Sequence, residues 1–239
     1  MKNKIGVFDS GIGGLTTLEE IKKILPNENY IYYADSKNNP YGEKDDTALL
    51  DIVSEIVDFF ILKDVKLIVI ACNTATTRTI EKLRVMYPNM HFVGTEPAIK
   101  VACDNNYKNT LVMATPLTIN SSKVRALINK YLKDDECIYL LPCDGLANAI
   151  ETNNEKEINN ILDKLLIYYK NKNIDAVVLG CTHYPIIKDK IQNYFPYAKI
   201  IDGNIGVAKR VKYILEQNNL INTTGNKEDL EFIQTKKEN

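Results

Sequence analysis

The sequence predicts an α/β fold of two pseudo-symmetric parallel-sheet domains, and three observations carry that prediction. Two segments say nearly the same thing: Val65–Thr74 reads VKLIVIACNT and Ile174–His183 reads IDAVVLGCTH. Each is a Val/Ile/Leu-rich run that ends in a small residue, a cysteine and hydroxyl- or amide-bearing residues, the pattern of a parallel strand buried on both faces. Strand and helix patterns alternate along the whole chain, as parallel α/β architecture requires. The order of elements then repeats with an offset of roughly 105 to 110 residues, which reads as duplication of a half rather than a solenoid of short repeats. The 239 residues, 45% of them apolar, suffice for two such cores.

In order, Lys4–Phe8 reads as a strand, Gly14–Leu25 as a helix, Tyr30–Ala34 as a strand and Asp46–Lys63 as a longer amphipathic helix. The strand ending at Cys72, a helix over Ala75–Tyr87 and a short strand at His91–Val93 complete the first half. The series restarts with a strand at Thr110–Met113, a helix at Asn120–Leu132, a strand at Ile138–Leu141 and a helix at Glu155–Lys172. The strand ending at Cys181, a helix over Pro185–Phe195 and a strand at Lys199–Ile201 follow. Chain crossings at Thr95–Pro97 and Asp202–Gly206 give a first domain of residues 1–96 plus 207–239 and a second of 97–206, with helix Val207–Gln217 returning to the first. The polar tail INTTGNKEDLEFIQTKKEN is expected to fray beyond Ile233. On this alignment the loop at Asp9 corresponds to Thr115 and that at Tyr41 to Asp144, so each half contributes equivalent loops to a cleft shared between the domains.

A net charge of −1 offers no basic field for nucleic acid and no polybasic anchor for a membrane. No apolar run reaches transmembrane length and no signal region opens the chain, so a soluble, cytosolic protein with a small-molecule partner is expected. Five widely spaced cysteines form neither a disulfide framework nor a zinc pattern, and the two histidines, His91 and His183, are too few for a histidine metal centre. No metal is expected. The four arginines, Arg78, Arg84, Arg125 and Arg210, all lie outside the glycine- and cysteine-bearing motifs, so neutral donors are expected to hold any anionic group of a ligand.

In open α/β sheets, ligands bind at the carboxyl ends of the strands, where Cys72 and Cys181 fall. A single strand-end cysteine reads first as a small buried hydrophobe. The repeat changes that reading, because a helix expected after each cysteine places amides and a dipole that favour the thiolate and lower its pKa from about 8.5. Cys103, Cys137 and Cys143 lack the repeated context and keep the structural reading. Two thiols across a pocket suit removal of a C–H proton from one face of a carbon with return of a proton to the other, which inverts the centre without a cofactor. In FDSGIGGL, Asp9 and Ser10 open a glycine-rich turn whose amides and hydroxyl suit a carboxylate, while the Asp9 carboxylate suits an ammonium or a nearby proton. Tyr41 and Gly42 sit in a turn after Pro40. Asn73, Thr74, Thr182 and His183 place donors beside the thiols, although both threonines read equally as helix caps. Thr118 and Glu151 are further pocket candidates.

FDSGIGGL (Phe8–Leu15), PYG (Pro40–Gly42), ACNTAT (Ala71–Thr76), EPA (Glu96–Ala98) and GCTHYP (Gly180–Pro185) resemble, in order and over essentially the whole chain, the glutamate racemases of the aspartate/glutamate racemase superfamily. The resemblance implies a cofactor-independent enzyme that interconverts L- and D-glutamate and supplies D-glutamate for peptidoglycan. It assigns proton exchange with D-glutamate to Cys72 and with L-glutamate to Cys181. Asp9 and His183 would assist those thiols; Asp9, Ser10, Tyr41, Gly42, Asn73, Thr74, Thr182 and His183 would bind substrate, with Thr118 and Glu151 matching pocket residues. It also implies a homodimer. Two other readings remain open at this level: a racemase for aspartate or another amino acid, and a non-catalytic sensor of an acidic amino acid.

Overall fold

The computed structural model describes residues 4–222 and 229–236, in two compact units: Glu96–Gly203, and the residues on either side of that stretch. The first unit begins with β1 (Lys4–Asp9), α1 (Leu15–Ile24), β2 (Asn29–Ala34), α2 (Asp46–Leu62), β3 (Leu67–Ile70), α3 (Asn73–Met86) and β4 (Phe92–Gly94). The second holds α4 (Ile99–Asp104), β5 (Asn109–Ala114), α5 (Pro116–Ile119), α6 (Ser122–Tyr131), β6 (Cys137–Pro142), α7 (Leu146–Glu151), α8 (Glu155–Leu166), β7 (Ala176–Leu179), α9 (Lys188–Tyr194) and β8 (Lys199–Ile201). The chain then returns to the first unit for α10 (Asn204–Gln217) and β9 (Leu230–Gln234).

Both sheets are parallel throughout. The first runs β4-β3-β1-β2-β9 and the second β6-β5-β7-β8. Taken from its other edge the second is β8-β7-β5-β6, the order of β4-β3-β1-β2, so the duplication expected from the sequence is present in the strand order itself. β9 is the one addition. In each sheet the connections leave the first strand to opposite sides, which makes the β1/β3 and β5/β7 seams the topological switch points where ligands of such folds bind.

The inner strands are apolar on both faces because helices cover both. One face of the first sheet packs Leu18 and Ile21 of α1 with Val207, Val211 and Leu215 of α10; the other packs Leu49, Val53, Val57 and Phe60 of α2 with Ile80 and Leu83 of α3. In the second unit Leu146, Ile158, Leu162 and Ile191 cover one face and Ile99, Ala102 and Val124 the other. Burying each such side chain fully contributes about 1.5 to 3 kcal/mol. Local signals set the helix starts: Asp45 accepts from the amides of Thr47 and Ala48 at 2.9 Å each, and Ser121 and Asn154 accept from Val124 and Glu157.

Three expectations need correction. The tail does not fray at Ile233: β9 pairs with β2 through Gln234, and the Thr235 amide donates to the Ala34 carbonyl at 3.0 Å. Residues 223–228 and 237–239 of that tail lie outside the described residues. The helix expected over Pro185–Phe195 is instead a 3-10 turn, Tyr184–Ile187, followed by α9. The helix expected to reach Lys172 ends as α8 at Leu166 with a 3-10 turn at Ile167–Tyr169. Short helices α4, α5 and α7 carry too few turns to show a period in the sequence.

Candidate active site

In the first unit the side chains gather at the β1/β3 seam. Asp9 ends β1 fully buried, and its Oδ2 accepts from the amides of Gly11 at 3.3 Å and Gly14 at 3.1 Å. Those amides, expected to hold a ligand's carboxylate, are turned onto Asp9 and fasten the loop. Gly14 is required there: a Cβ would fall 2.7 Å from Asp9 Cβ and 2.8 Å from the Tyr32 hydroxyl. The Tyr32 hydroxyl donates to the Gly11 carbonyl at 2.9 Å. Cys72, two residues after β3, is the N-cap of α3; its sulfur accepts from the Ala75 amide at 3.5 Å, and its thiol reaches the Ser10 hydroxyl at 3.9 Å. A helix start with aligned amides stabilises a thiolate. Asn73 and Thr74 form the buried first turn of α3, and the Asn73 side-chain amide donates to the Thr95 carbonyl at 3.3 Å. Since Cys72 holds the cap position, Thr74 is not a cap.

Tyr41 follows a cis Asn39–Pro40 peptide bond and opens the 3-10 turn Tyr41–Glu43. Its ring is buried, and the hydroxyl donates to Asp35 Oδ2 at 2.7 Å. Burial first, then the charges of Asp35, Cys72 and Asp9, hold the phenol well above its ordinary pKa, so it stays a neutral donor. The amide of Gly42 is one of the leading N–H groups of this turn, which have no acceptor within a helical turn.

In the second unit Cys181 ends the run after β7, buried to 7% exposure. Gly180 before it lets β7 lie against β5, since a Cβ would sit 2.9 Å from Ala114 Cβ and 3.0 Å from the Met113 carbonyl oxygen. The expectation that a helix start faces this thiol fails, because α9 begins only at Lys188. A side-chain relay stands there instead. His183 Nδ1 lies 3.8 Å from the Cys181 sulfur and 3.4 Å from the Thr182 hydroxyl, and His183 Nε2 lies 2.6 Å from Glu151 Oε2. In a neutral imidazole whose Nε2–H donates to Glu151, Nδ1 is the acceptor toward the thiol. No side chain caps the turn at Tyr184, so Thr182 is not a cap either. Thr118 is fully buried in the turn after β5, where the Thr115 hydroxyl donates to its Oγ1 at 3.0 Å.

The remaining thiols divide. Cys103 and Cys143 are buried, and burial pushes the Cys143 thiol up to about 12, consistent with packing. Cys137 is exposed at the start of β6, which corrects its reading as a buried apolar residue. Among the described residues no group of three or more His, Cys, Asp or Glu is placed to hold a metal ion, and no helix is long and apolar enough to cross a membrane. Sequence reasoning missed Asp35, Tyr32 and Thr235 around these loops; a residue some 200 positions away in the chain leaves no local signal.

A family model for Asp/Glu/hydantoin racemases matches residues 12–210. With parallel α/β units that each end an inner strand in a thiol, the chain belongs to that family and is an isomerase. Its place within the family is among the glutamate racemases. It is 41% identical over 239 residues to the glutamate racemase of Clostridium botulinum (strain Alaska E43 / Type E3), a match covering 98% of this chain and 92% of that one. The crystal structure of the Francisella tularensis subsp. tularensis SCHU S4 glutamate racemase in complex with D-glutamate matches with a TM-score of 0.85 at 34% identity, over 99% of this chain and 89% of that one. The Escherichia coli glutamate racemase in complex with L-glutamate and the activator UDP-MurNAc-ala matches with a TM-score of 0.80 at 30% identity, over 90% and 83%.

Proposed function

We propose that this racemase interconverts L- and D-glutamate without a cofactor, using Cys72 and Cys181 as its two bases, and supplies D-glutamate for peptidoglycan in the cytosol. The single observation that carries the reading is the independent proton-handling apparatus beside each thiol: the α3 start at Cys72 and the His183–Glu151 pair at Cys181. The named relatives bound to D- or L-glutamate support the choice of substrate.

In one direction the Cys181 thiolate takes the α-proton of L-glutamate and becomes a thiol, while the Cys72 thiol gives its proton to the opposite face of the carbanionic carbon and becomes a thiolate. The product is D-glutamate, and the two thiols have exchanged protonation states. The reverse reaction starts from that state. Acid–base catalysis alone gives about 10² to 10⁴ in rate, so the site must also stabilise the charge that develops on the substrate carboxylate. Ser10, Gly42, Asn73, Thr74, Thr118 and Thr182 are the neutral donors for that task, and Asp9 is the anionic group for the ammonium or for the Cys72 proton. The working form is a homodimer, which sedimentation measurements check.

Turnover in D₂O tests the mechanism. Each enantiomer should give product of opposite hand carrying α-deuterium, with little label in recovered substrate at early times; equal early labelling of both would replace the two-base scheme with one swivelling base. A panel including aspartate tests the substrate, and ligand-induced thermal stabilisation without turnover would favour a sensor.

A further inference from the structure

We propose that the C-terminal strand β9, acting through Thr235 and the buried carboxylate of Asp35, is a positioning element for the Tyr41–Gly42 loop of the substrate site. The inference rests on the proposed glutamate site and adds to it two residues outside every motif that marks that site in the sequence.

Asp35 directly follows β2, is 1% exposed, and is held in the sheet by its amide, which donates to the Asp9 carbonyl at 2.9 Å. A carboxylate buried to that extent needs hydrogen-bond donors. Three side chains supply them. The Asn38 amide donates to Oδ1 at 3.1 Å and Oδ2 at 3.0 Å; the Tyr41 hydroxyl donates to Oδ2 at 2.7 Å; the Thr235 hydroxyl donates to Oδ1 at 2.9 Å. Asp35 therefore clasps the loop 35–41 from within and joins it to the last part of the chain. Thr235 is itself fixed at both sides: its amide donates to the Ala34 carbonyl at 3.0 Å, and its hydroxyl oxygen accepts from the Lys37 amide at 2.9 Å.

The same strand reaches the other substrate loop through Tyr32. Phe232 stacks on Tyr32 with ring centroids 5.6 Å apart and an interplanar angle of 8°, and Tyr32 is the residue whose hydroxyl holds the Gly11 carbonyl of the Asp9 turn. The phenol of Tyr41 is turned inward onto Asp35, so what this residue offers a ligand is the backbone at Tyr41–Gly42, and the placement of that backbone depends on the clasp. Misplacing it by an ångström weakens substrate binding without removing either thiol.

The test compares Thr235→Ala, Thr235→Ser and Tyr41→Phe in the full-length enzyme, with steady-state racemisation of D-glutamate followed by a chiral assay. Loss of one donor to a buried carboxylate is expected to raise KM about tenfold with kcat within about twofold, and Thr235→Ser should restore the wild-type KM. Because Thr235 and Tyr41 act through one carboxylate, the double variant Thr235→Ala/Tyr41→Phe should raise KM by less than the product of the single effects. Wild-type KM in Thr235→Ala, with only a lowered melting temperature, would reduce β9 to a structural strand and overturn the proposal while leaving the glutamate reading standing. Independent, multiplicative effects of the two single variants would break the link through Asp35. If Thr235→Ala fails to fold, Tyr41→Phe reads the same clasp from its other end, and an unchanged KM there overturns the proposal. A wild-type enzyme inactive on either glutamate enantiomer overturns the glutamate reading and this inference with it.

Discussion

Cys72 and Cys181 each stand two residues past equivalent strands, β3 and β7, yet the groups beside them differ in kind. Cys72 is served by backbone: it caps a 14-residue helix and takes a hydrogen bond from the Ala75 amide. Cys181 is served by side chains, with His183 against the sulfur and Glu151 behind the histidine. The second half has a side-chain relay where the first has an α-helix start. The two halves thus agree on where a thiol sits more closely than on what stands beside it, because strand order is set by the whole sheet, whereas a thiol's neighbours depend on a few residues in one loop.

The comparison can be broken most directly at the sulfurs. Cys72→Ser and Cys181→Ser should each lower racemisation by about 10⁴ or more with the circular dichroism spectrum unchanged, since each removes one of the two proposed acid–base groups. A single variant that keeps full activity would end the two-thiol scheme.

His183→Asn sharpens the contrast. Its kcat/KM should fall about 10²-fold equally in both directions, because the equilibrium constant between enantiomers is one. The side of the defect shows in isotope effects: the α-deuterium effect should grow for L-glutamate, whose proton goes to Cys181 in the proposed scheme, and shrink for D-glutamate. Ser10→Ala, on the Cys72 side, should shift the two effects in the opposite sense. The same pattern from both variants would mean that the halves are not specialised. Glu151→Gln leaves the imidazole in place but removes the charge behind it, so a smaller loss of about tenfold is expected, with the isotope pattern of His183→Asn.

The smallest effect concerns thiols outside the site. Iodoacetamide at mildly alkaline pH should modify exposed Cys137 first and spare Cys143, which burial keeps protonated up to about 12. Its folded pKa lies above the ordinary value of 9.0, so this thiol's contribution to stability is complete below about pH 9 and is lost as pH rises toward 12. Denaturant titrations of Cys143→Ala should accordingly show a shallower alkaline decline than the parent.

Most of the frame was legible in the chain because long apolar runs such as LIVI and AVVL can only be buried strands, and because each half repeats the same alternation. The cap at Cys72 was legible for a similar reason, being a local consequence of a strand that runs straight into a helix. At Cys181 the same logic failed. Pro185 fits the first turn of either helix type, and the i→i+3 bonds from Tyr184 to Cys181 and from Ile186 to His183 that tighten the turn depend on tertiary packing. LEFIQ falls in the polar tail and carries no strand expectation, because an edge strand with alternating exposure looks like any polar segment. Of the three donors to Asp35, Asn38 and Tyr41 are near in the chain but Thr235 lies 200 positions away, so nothing within a short window announces the link to the last strand.

The glycine before Cys181 carries a consequence for how this enzyme tolerates change. An added methyl at position 180 would strike Ala114 and the Met113 carbonyl, whereas one at Gly206 on α10 would meet nothing within 4 Å. Saturation libraries at the two codons should therefore diverge, with only the parental allele recovered at 180 and a broad spectrum at 206. The address of one reactive sulfur is written in a hydrogen atom that no larger substituent can replace.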